Sequence, residues 1–284
     1  MVLTVDKVSG YVVGQKIADG GCGEIFEAQD VTTKQKVAVK ILHPRHFGNK
    51  QEARRLFNEG SLGLRLRHHQ HIVQTLKMGE TDARPFIIME LATGQSLREL
   101  LRTRRMKDYE VLRLAVGIAK ALQYMHERGI YHKDVKPDNI MVDMERGSIK
   151  LLDLGFAETR LAATLTFFGR KLEGSPAYIA PELLLDKRAT PATDLYSLGC
   201  TLYEAATGSI PFSGNSDREI MAQQTNLKLR PAPIVDVNPD ITFLTQKIIL
   251  TALEKKVAFR YRTADELWLE LSRHPSIRYG FVSM

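Results

Sequence analysis

A chain of 284 residues is long enough for one large domain or two smaller lobes around a sizeable core. It is 44% apolar and 26% charged, has no run approaching ~18 apolar residues and no basic-then-apolar leader, which excludes a bilayer span and points to a cytoplasmic protein. Two cysteines, Cys22 and Cys200, exclude a disulfide framework, and a net charge of +7 without basic residues interleaved with aromatics argues against a nucleic-acid partner.

In chain order, alternating or β-branched runs predict strands at residues 11–18, 24–28, 37–42, 72–78 and 86–89, separated by Gly or polar turns. Between the third and fourth, residues 51–67 are rich in Glu, Arg and Leu and free of proline, which predicts a helix. After Thr93-Gly94 the pattern changes. Asp108 can cap a helix with Leu114, Ile118, Ala121, Leu122 and Met125 on one face, and Gly129 can end it. Residues 194–207 and 243–253 predict further apolar helices. A strand-rich segment followed by a helix-rich one predicts two lobes with a ligand cleft between them.

Four stretches carry chemistry. Ala18-Asp19-Gly20-Gly21-Cys22-Gly23 joins two strands, and its glycines let backbone N–H groups approach phosphates; a tight hairpin reads equally well from this stretch alone. Val37-Ala38-Val39-Lys40 sets a lysine in an apolar strand, where it needs an anionic partner; Glu59 and phosphate oxygens qualify, and an exposed edge position is the alternative. Tyr131-His132-Lys133-Asp134-Val135-Lys136-Pro137-Asp138-Asn139 supplies an acid to orient a hydroxyl (Asp134), a lysine for a moving phosphoryl group (Lys136) and a metal-binding amide (Asn139). Asp153, at the end of the next apolar run, completes with Asn139 an oxygen-rich pair suited to Mg²⁺. Phosphoryl transfer needs all of these parts: a nucleotide cradle, charge neutralisation and an oriented acceptor.

With these motifs, and with Gly174-Ser175-Pro176-Ala177-Tyr178-Ile179-Ala180-Pro181-Glu182, Asp194 and Arg260, the chain resembles the eukaryotic-type protein kinases, and its tail is most similar to bacterial members. The resemblance implies an α+β, bilobal fold: a tail at 1–10, an antiparallel-sheet N-lobe with one main helix at 11–90, a hinge at 91–93, a mostly helical C-lobe at 94–275 and a tail at 276–284. It implies that ATP sits under Ile17, Ala18, Gly20, Gly21 and Gly23, with the adenine between Ile25, Ala38 and Met141, behind the gatekeeper Met89 and bonded by the backbones of Glu90 and Ala92. Lys40 pairs with Glu59 and holds phosphates, Asp134 is the base, Asn139 and Asp153 hold Mg²⁺, Glu182 pairs with Arg260, and Asp194 braces the catalytic loop. Lys136, two residues after Asp134, resembles the Ser/Thr rather than the Tyr branch, so the partner is a protein with Ser or Thr acceptors.

Four positions depart from the family pattern. Ala18 replaces the first loop glycine, Leu154 replaces a phenylalanine, and Gly63 falls where an apolar side chain is usual, leaving Leu62 or Leu64 to fill a gap or the helix loosely held. Lys133 replaces an arginine that grips activation-segment phosphate in the family, which implies altered control by phosphorylation. Thr164 and Thr166 are the candidate autophosphorylation sites, near Arg160, Arg170, Lys171 and Lys133, with self-association as a route to modification in trans. Asp138 and Glu99 suggest a basic substrate; Cys22 suggests a redox switch, against which stands a small side chain merely tolerated at that place. His68-His69-Gln70-His71 lacks a spaced partner and reads as a solvated turn. The rival functions are a pseudokinase scaffold, against which all six catalytic-type residues are present, and a small-molecule phosphotransferase, against which the Ala-Pro-Glu segment and Lys136 argue.

Overall fold

The computed structural model describes residues 7–82, 84–160, 175–185 and 188–280. They form two compact units: the described residues through Thr93 with Asp153–Gly155, and Gly94–Leu152 with the described residues from Phe156 onward. The class is α+β, an antiparallel sheet with one long helix in the first unit and mostly helix in the second.

The first unit is a six-stranded sheet of order β1-β2-β3-β4-β6-β5, from β1 (Lys7–Val8), β2 (Tyr11–Asp19), β3 (Gly23–Asp30), β4 (Lys36–Leu42), β5 (Thr75–Thr81) and β6 (Arg84–Glu90). Period two sorts β4: Val37, Val39 and Ile41 join Val8, Ala28, Phe86 and Ile88 in one cluster, whereas Leu42 packs with Cys22, Leu56 and Ile87 on the other face. Lys40 shares parity with Leu42 and so points toward the helix side. Two expectations change. The segment 1–10 is not all tail, because Lys7 and Val8 pair with Val12 and Tyr11 and Val8 is fully buried. The fourth expected strand begins at Thr75 instead of 72, since Ile72 is buried from a turn closed by its N–H on the His69 carbonyl.

Helix α1 (Lys50–Arg65) starts at Asn49, whose side chain accepts from the N–H groups of Gln51 and Glu52. Its buried residues include Leu56, Glu59, Gly60 and Gly63, a face at helical spacing. A Cβ on Gly63 would lie 2.1 Å from Thr75 Oγ1, and one on Gly60 3.2 Å from Met78 Cβ. Thr75, and not Leu62 or Leu64, therefore fills the space left at Gly63. The glycine is what lets helix and sheet approach so closely, and the helix is not loosely held.

In the second unit β7 (Gln95–Ser96) leads into α2 (Leu97–Thr103), capped by the reciprocal Ser96–Glu99 box. The central helix α3 (Asp108–Glu127) has Lys107 as its cap residue; Asp108 instead accepts from the Thr242 N–H at 2.9 Å. Gly129, at φ +67°, turns the chain out of that helix into β8 (Ile130–Tyr131). β9 (Ile140–Asp143) pairs with β7 and with β10 (Ser148–Leu151), and β11 (Glu158–Thr159) pairs with β8. The helices α4 (Pro181–Leu184), α5 (Pro191–Thr207), α6 (Asp217–Thr225), α7 (Ile234–Val237), α8 (Phe243–Ala252), α9 (Ala264–Ser272) and α10 (Pro275–Arg278) complete it. The apolar pattern from 194 extends three residues earlier, with Pro191 as the first helical residue, and α5 is buried along nearly its whole length. The expected tail at 276–284 also begins too early: α10 carries the buried Ile277.

Candidate active site

In the first unit Lys40 is 2% exposed, and its Nζ lies 2.7 and 2.8 Å from the two oxygens of Glu59 and 3.4 Å from Asp153 Oδ1. Three distant pieces of chain meet here: a strand, a helix and the Asp153–Gly155 segment. Burial alone would lower the Lys40 ammonium, but the Asp153 and Glu59 carboxylates outweigh it and hold it above its ordinary value. Burial pushes the Glu59 carboxyl up to about 7, with Lys40 pulling against it and Asp153 adding to it. Asp153 sits at φ +56°, a conformation an aspartate tolerates better than most residues, and its Oδ1 accepts the Gly155 N–H at 2.8 Å. Arg55, one turn before Glu59, donates to the Gly155 carbonyl at 2.9 Å; its i, i+4 spacing from Glu59 was the signal that could have found it.

The glycine loop lies in the same unit. A Cβ on Gly23 would meet the Ile41 carbonyl at 2.7 Å, so only glycine fits beside β4, whereas one on Gly21 would meet nothing within 4 Å. Ala18 is an ordinary strand residue opposite Ile25, and Ala38 lies between Glu27 and Met89 in the sheet. Ile17 is 44% exposed, and the Glu90 N–H already donates to the Gln74 carbonyl. Cys22 is 3% exposed in an apolar cluster, and burial pushes its thiol up, which is the environment of an inert cysteine and not of a redox switch.

In the second unit Asp134 is 4% exposed and surrounded by donors. Its Oδ2 accepts from Asn139 Nδ2 at 2.9 Å and lies 2.7 Å from Lys136 Nζ; its Oδ1 accepts from the Ser175 N–H at 3.3 Å. Lys136 also donates to Ser175 Oγ at 2.7 Å. The loop is held from α5: Asp194 accepts the N–H groups of His132 and Lys133 at 2.9 and 2.7 Å and lies 2.8 Å from His126 Nε2. Burial would raise the Asp194 carboxyl, but the His126 hydrogen bond and charge, with the backbone donors, hold it below its ordinary value. Lys133, at φ +67°, gives the bend that presents both N–H groups. Its Nζ lies 3.4 Å from Glu158 Oε1, both side chains being buried. Met141 is a half-buried residue of β9, opposite Ser96 and Lys150.

Glu182 and Arg260 form the expected buried pair at 2.8 and 3.1 Å, with Arg260 also donating to the Ala192 carbonyl. Asp138 and Glu99 are already engaged: Arg98 reaches Asp138 at 3.2 Å, and Glu99 accepts from the Ser96 N–H and hydroxyl. Arg98 also bonds Glu204 and the Tyr178 hydroxyl, and Tyr178 donates to Glu204. Separations of 80 and 106 residues left no sequence signal for that network. Thr164 and Thr166, with Arg170 and Lys171, lie outside the described residues. Among the described residues the His/Cys/Asp/Glu group with metal-like spacing is Asp19, Glu24 and His43, not His68–His71, and Lys16 Nζ stands 2.8 Å from both of its carboxylates.

The sequence model of the protein kinase domain matches residues 11–267. A probable serine/threonine-protein kinase of Clostridium perfringens is 32% identical over 95% of this chain and 39% of its own length. The serine/threonine-protein kinase PknL of Mycobacterium tuberculosis is 33% identical over 93% of this chain and 65% of its own, and a probable serine/threonine-protein kinase of Streptomyces coelicolor is 32% identical over 92% and 39%. The chain thus spans less than two thirds of the length of these relatives. The match across nine-tenths of its residues, on a fold with a strand lysine paired to a helix glutamate and a braced aspartate loop, makes the chain a member of the protein kinase domain family.

Proposed function

We propose that the chain is a Ser/Thr protein kinase that transfers the γ-phosphoryl group of ATP to a protein hydroxyl, acting in the cytoplasm. The observation that carries this reading is the company of Asp134. A buried carboxylate bonded to Asn139, Lys136 and the Ser175 N–H is fixed in direction, and a fixed acceptor can orient an incoming Ser or Thr hydroxyl and take its proton. Lys136, bonded to both Asp134 and Ser175, supplies a positive charge beside that acceptor. Lys40, locked by Glu59, is poised for phosphate oxygens. The adenine is assigned to Ile25, Ala38, Met89 and Met141, to the Ala92 backbone and to the carbonyl of Glu90, whose N–H is taken. Ile17, Ala18, Gly20, Gly21 and Gly23 cover the phosphates.

Each residue offers a donor that suits a hard divalent ion: Asn139 spends its amide nitrogen on Asp134 and keeps an oxygen, and Asp153 has a carboxylate. Asn139 and Asp153 would hold Mg²⁺, which neutralises charge on the transferred phosphoryl group when bound. Thr164 and Thr166 remain the proposed autophosphorylation sites, modified between two copies of the chain.

The test is incubation with labelled ATP and Mg²⁺ and a generic protein substrate, beside a small alcohol and the Asp134→Asn and Asp153→Ala variants. Label on protein Ser or Thr in the parent alone is the expected result. Label on the alcohol would favour a small-molecule phosphotransferase, and nucleotide binding without transfer a pseudokinase. Phosphopeptide mapping of the active parent that finds both threonines unmodified would remove them as sites.

A further inference from the structure

Helix α6 has one buried residue, and it is polar: Gln224. Its Nε2 donates to the Pro176 carbonyl at 2.7 Å across 48 residues, while its Oε1 is buried with no hydrogen-bond partner among the described residues. That one bond ties the buried amide to Pro176, and breaking it would leave both ends of the amide unsatisfied, which is costly. The helix end that carries Gln224 is itself held. Lys255, 6% exposed, donates 2.7 Å bonds to the carbonyls of Gln223 and Asn226, either side of it, and its Nζ lies 4.0 Å from the centre of the Phe212 ring. At the other end, Pro176 lacks an N–H, so its carbonyl is the polar handle its backbone offers. The preceding residue is Ser175, whose N–H meets Asp134 and whose hydroxyl takes the Lys136 proton donor.

We propose that Gln224, buttressed by Lys255, is a positioning residue for the protein acceptor: through Pro176 it sets Ser175 against Asp134 and Lys136. The inference rests on the kinase reading and deepens it. Gln224 touches no reacting atom, so its loss should leave nucleotide use intact and affect how the segment beside Asp134 receives a protein hydroxyl. A small shift there is enough, because misplacement of about 1 Å can cost on the order of a hundredfold in rate.

The experiment compares two reactions of one enzyme, phosphorylation of a protein substrate and hydrolysis of ATP by water, in the parent, Gln224→Leu, Gln224→Met and the exposed-site control Arg218→Ala. The expected result is a loss of about tenfold to a hundredfold in kcat/KM for protein in both Gln224 variants, with ATP hydrolysis, the KM for ATP and the control within about twofold. Gln224→Met keeps the length without the donor, so it serves if the leucine variant does not fold; Lys255→Met should reproduce the split more weakly. An unchanged protein-to-water ratio in either folded Gln224 variant overturns the proposal. So does an equal loss in both reactions, which would make Gln224 a general prop. A parent that phosphorylates no protein defeats the kinase reading instead.

Discussion

Both units hold a lysine against carboxylates, but by opposite means. In the first, Lys40 is drawn from β4 into a dry site and shared between Glu59 and Asp153, residues 19 and 113 positions away. In the second, Asp134, Lys136 and Asn139 lie within six consecutive residues, and a distant brace, Asp194, fixes the shape of their loop. Burial in the first site displaces Glu59 far from its ordinary range. The second relies on hydrogen bonds for direction. One arrangement holds charge and the other holds orientation, the properties that the proposed phosphate cradle and hydroxyl acceptor respectively require.

The largest expected effect separates these roles. Asp134→Asn keeps the shape of the loop but removes the acceptor, and should lower protein phosphorylation by roughly 10²- to 10⁴-fold with nucleotide affinity unchanged. Lys40→Met should weaken transfer too, because Glu59 and Asp153 lose the cation between them. Turnover measured beside binding of a fluorescent nucleotide checks both. Full turnover in Asp134→Asn would remove the assigned base.

The same contrast governs what the sequence could tell. The 131–139 loop was legible because its groups are contiguous, and Lys40 because an ammonium set in an apolar strand needs an anionic partner. Glu59 needed only the spacing of one helix. What stayed hidden was tertiary: nothing near Gly63 in the chain says that Thr75 fills its place, and nothing near Gln224 points to Pro176. Asp138 looked available for a basic substrate because its partner, Arg98, stands 40 residues away on α2, whereas the Ser96–Glu99 capping box is written in the chain itself. Each overturned boundary has a local cause as well, such as Ile72 buried from a turn where a strand was expected.

Stability separates the units as well: the second leans on a buried ion pair and the first on a close helix–sheet contact. Arg260 is 3% exposed, paired with Glu182 and bonded to the carbonyls of Ala192 and Glu254. Arg260→Leu leaves the buried Glu182 carboxylate, among the described residues, with only the Thr193 hydroxyl and takes a donor from the carbonyls of Ala192, Glu254 and Lys255, and should cost about 3–5 kcal/mol in urea unfolding. A cost below about 1 kcal/mol would mean that solvent reaches the pair. In the first unit the matching test is steric. Gly63→Val must push Thr75 or α1 aside and should cost about 1–3 kcal/mol, with kinase activity falling further as Glu59 is displaced from Lys40. Thr75→Ala in the same chain should restore part of both; no cost in the single variant would show that helix and sheet are less closely packed than the 2.1 Å approach implies.

The smallest effect is the pH dependence of the Lys40 site, and its sign can be worked out. Glu59, ordinarily near 4.5, is raised to about 7 by burial. A carboxyl raised on folding favours the folded state most below pH 4.5, where it is protonated in both states, and that contribution is lost as pH rises through 7. Activity runs the other way, since only the carboxylate can hold Lys40 as an ion pair. The kcat/KM for ATP should therefore fall below about pH 7, by about tenfold for each further pH unit. In Glu59→Gln the rate should be lower throughout, but that acid limb should vanish, because the amide does not titrate. A limb that stays near pH 7 in Glu59→Gln would assign it to another group and leave Glu59 ionised despite its burial, making the first site as insensitive to pH as a network of neutral hydrogen bonds.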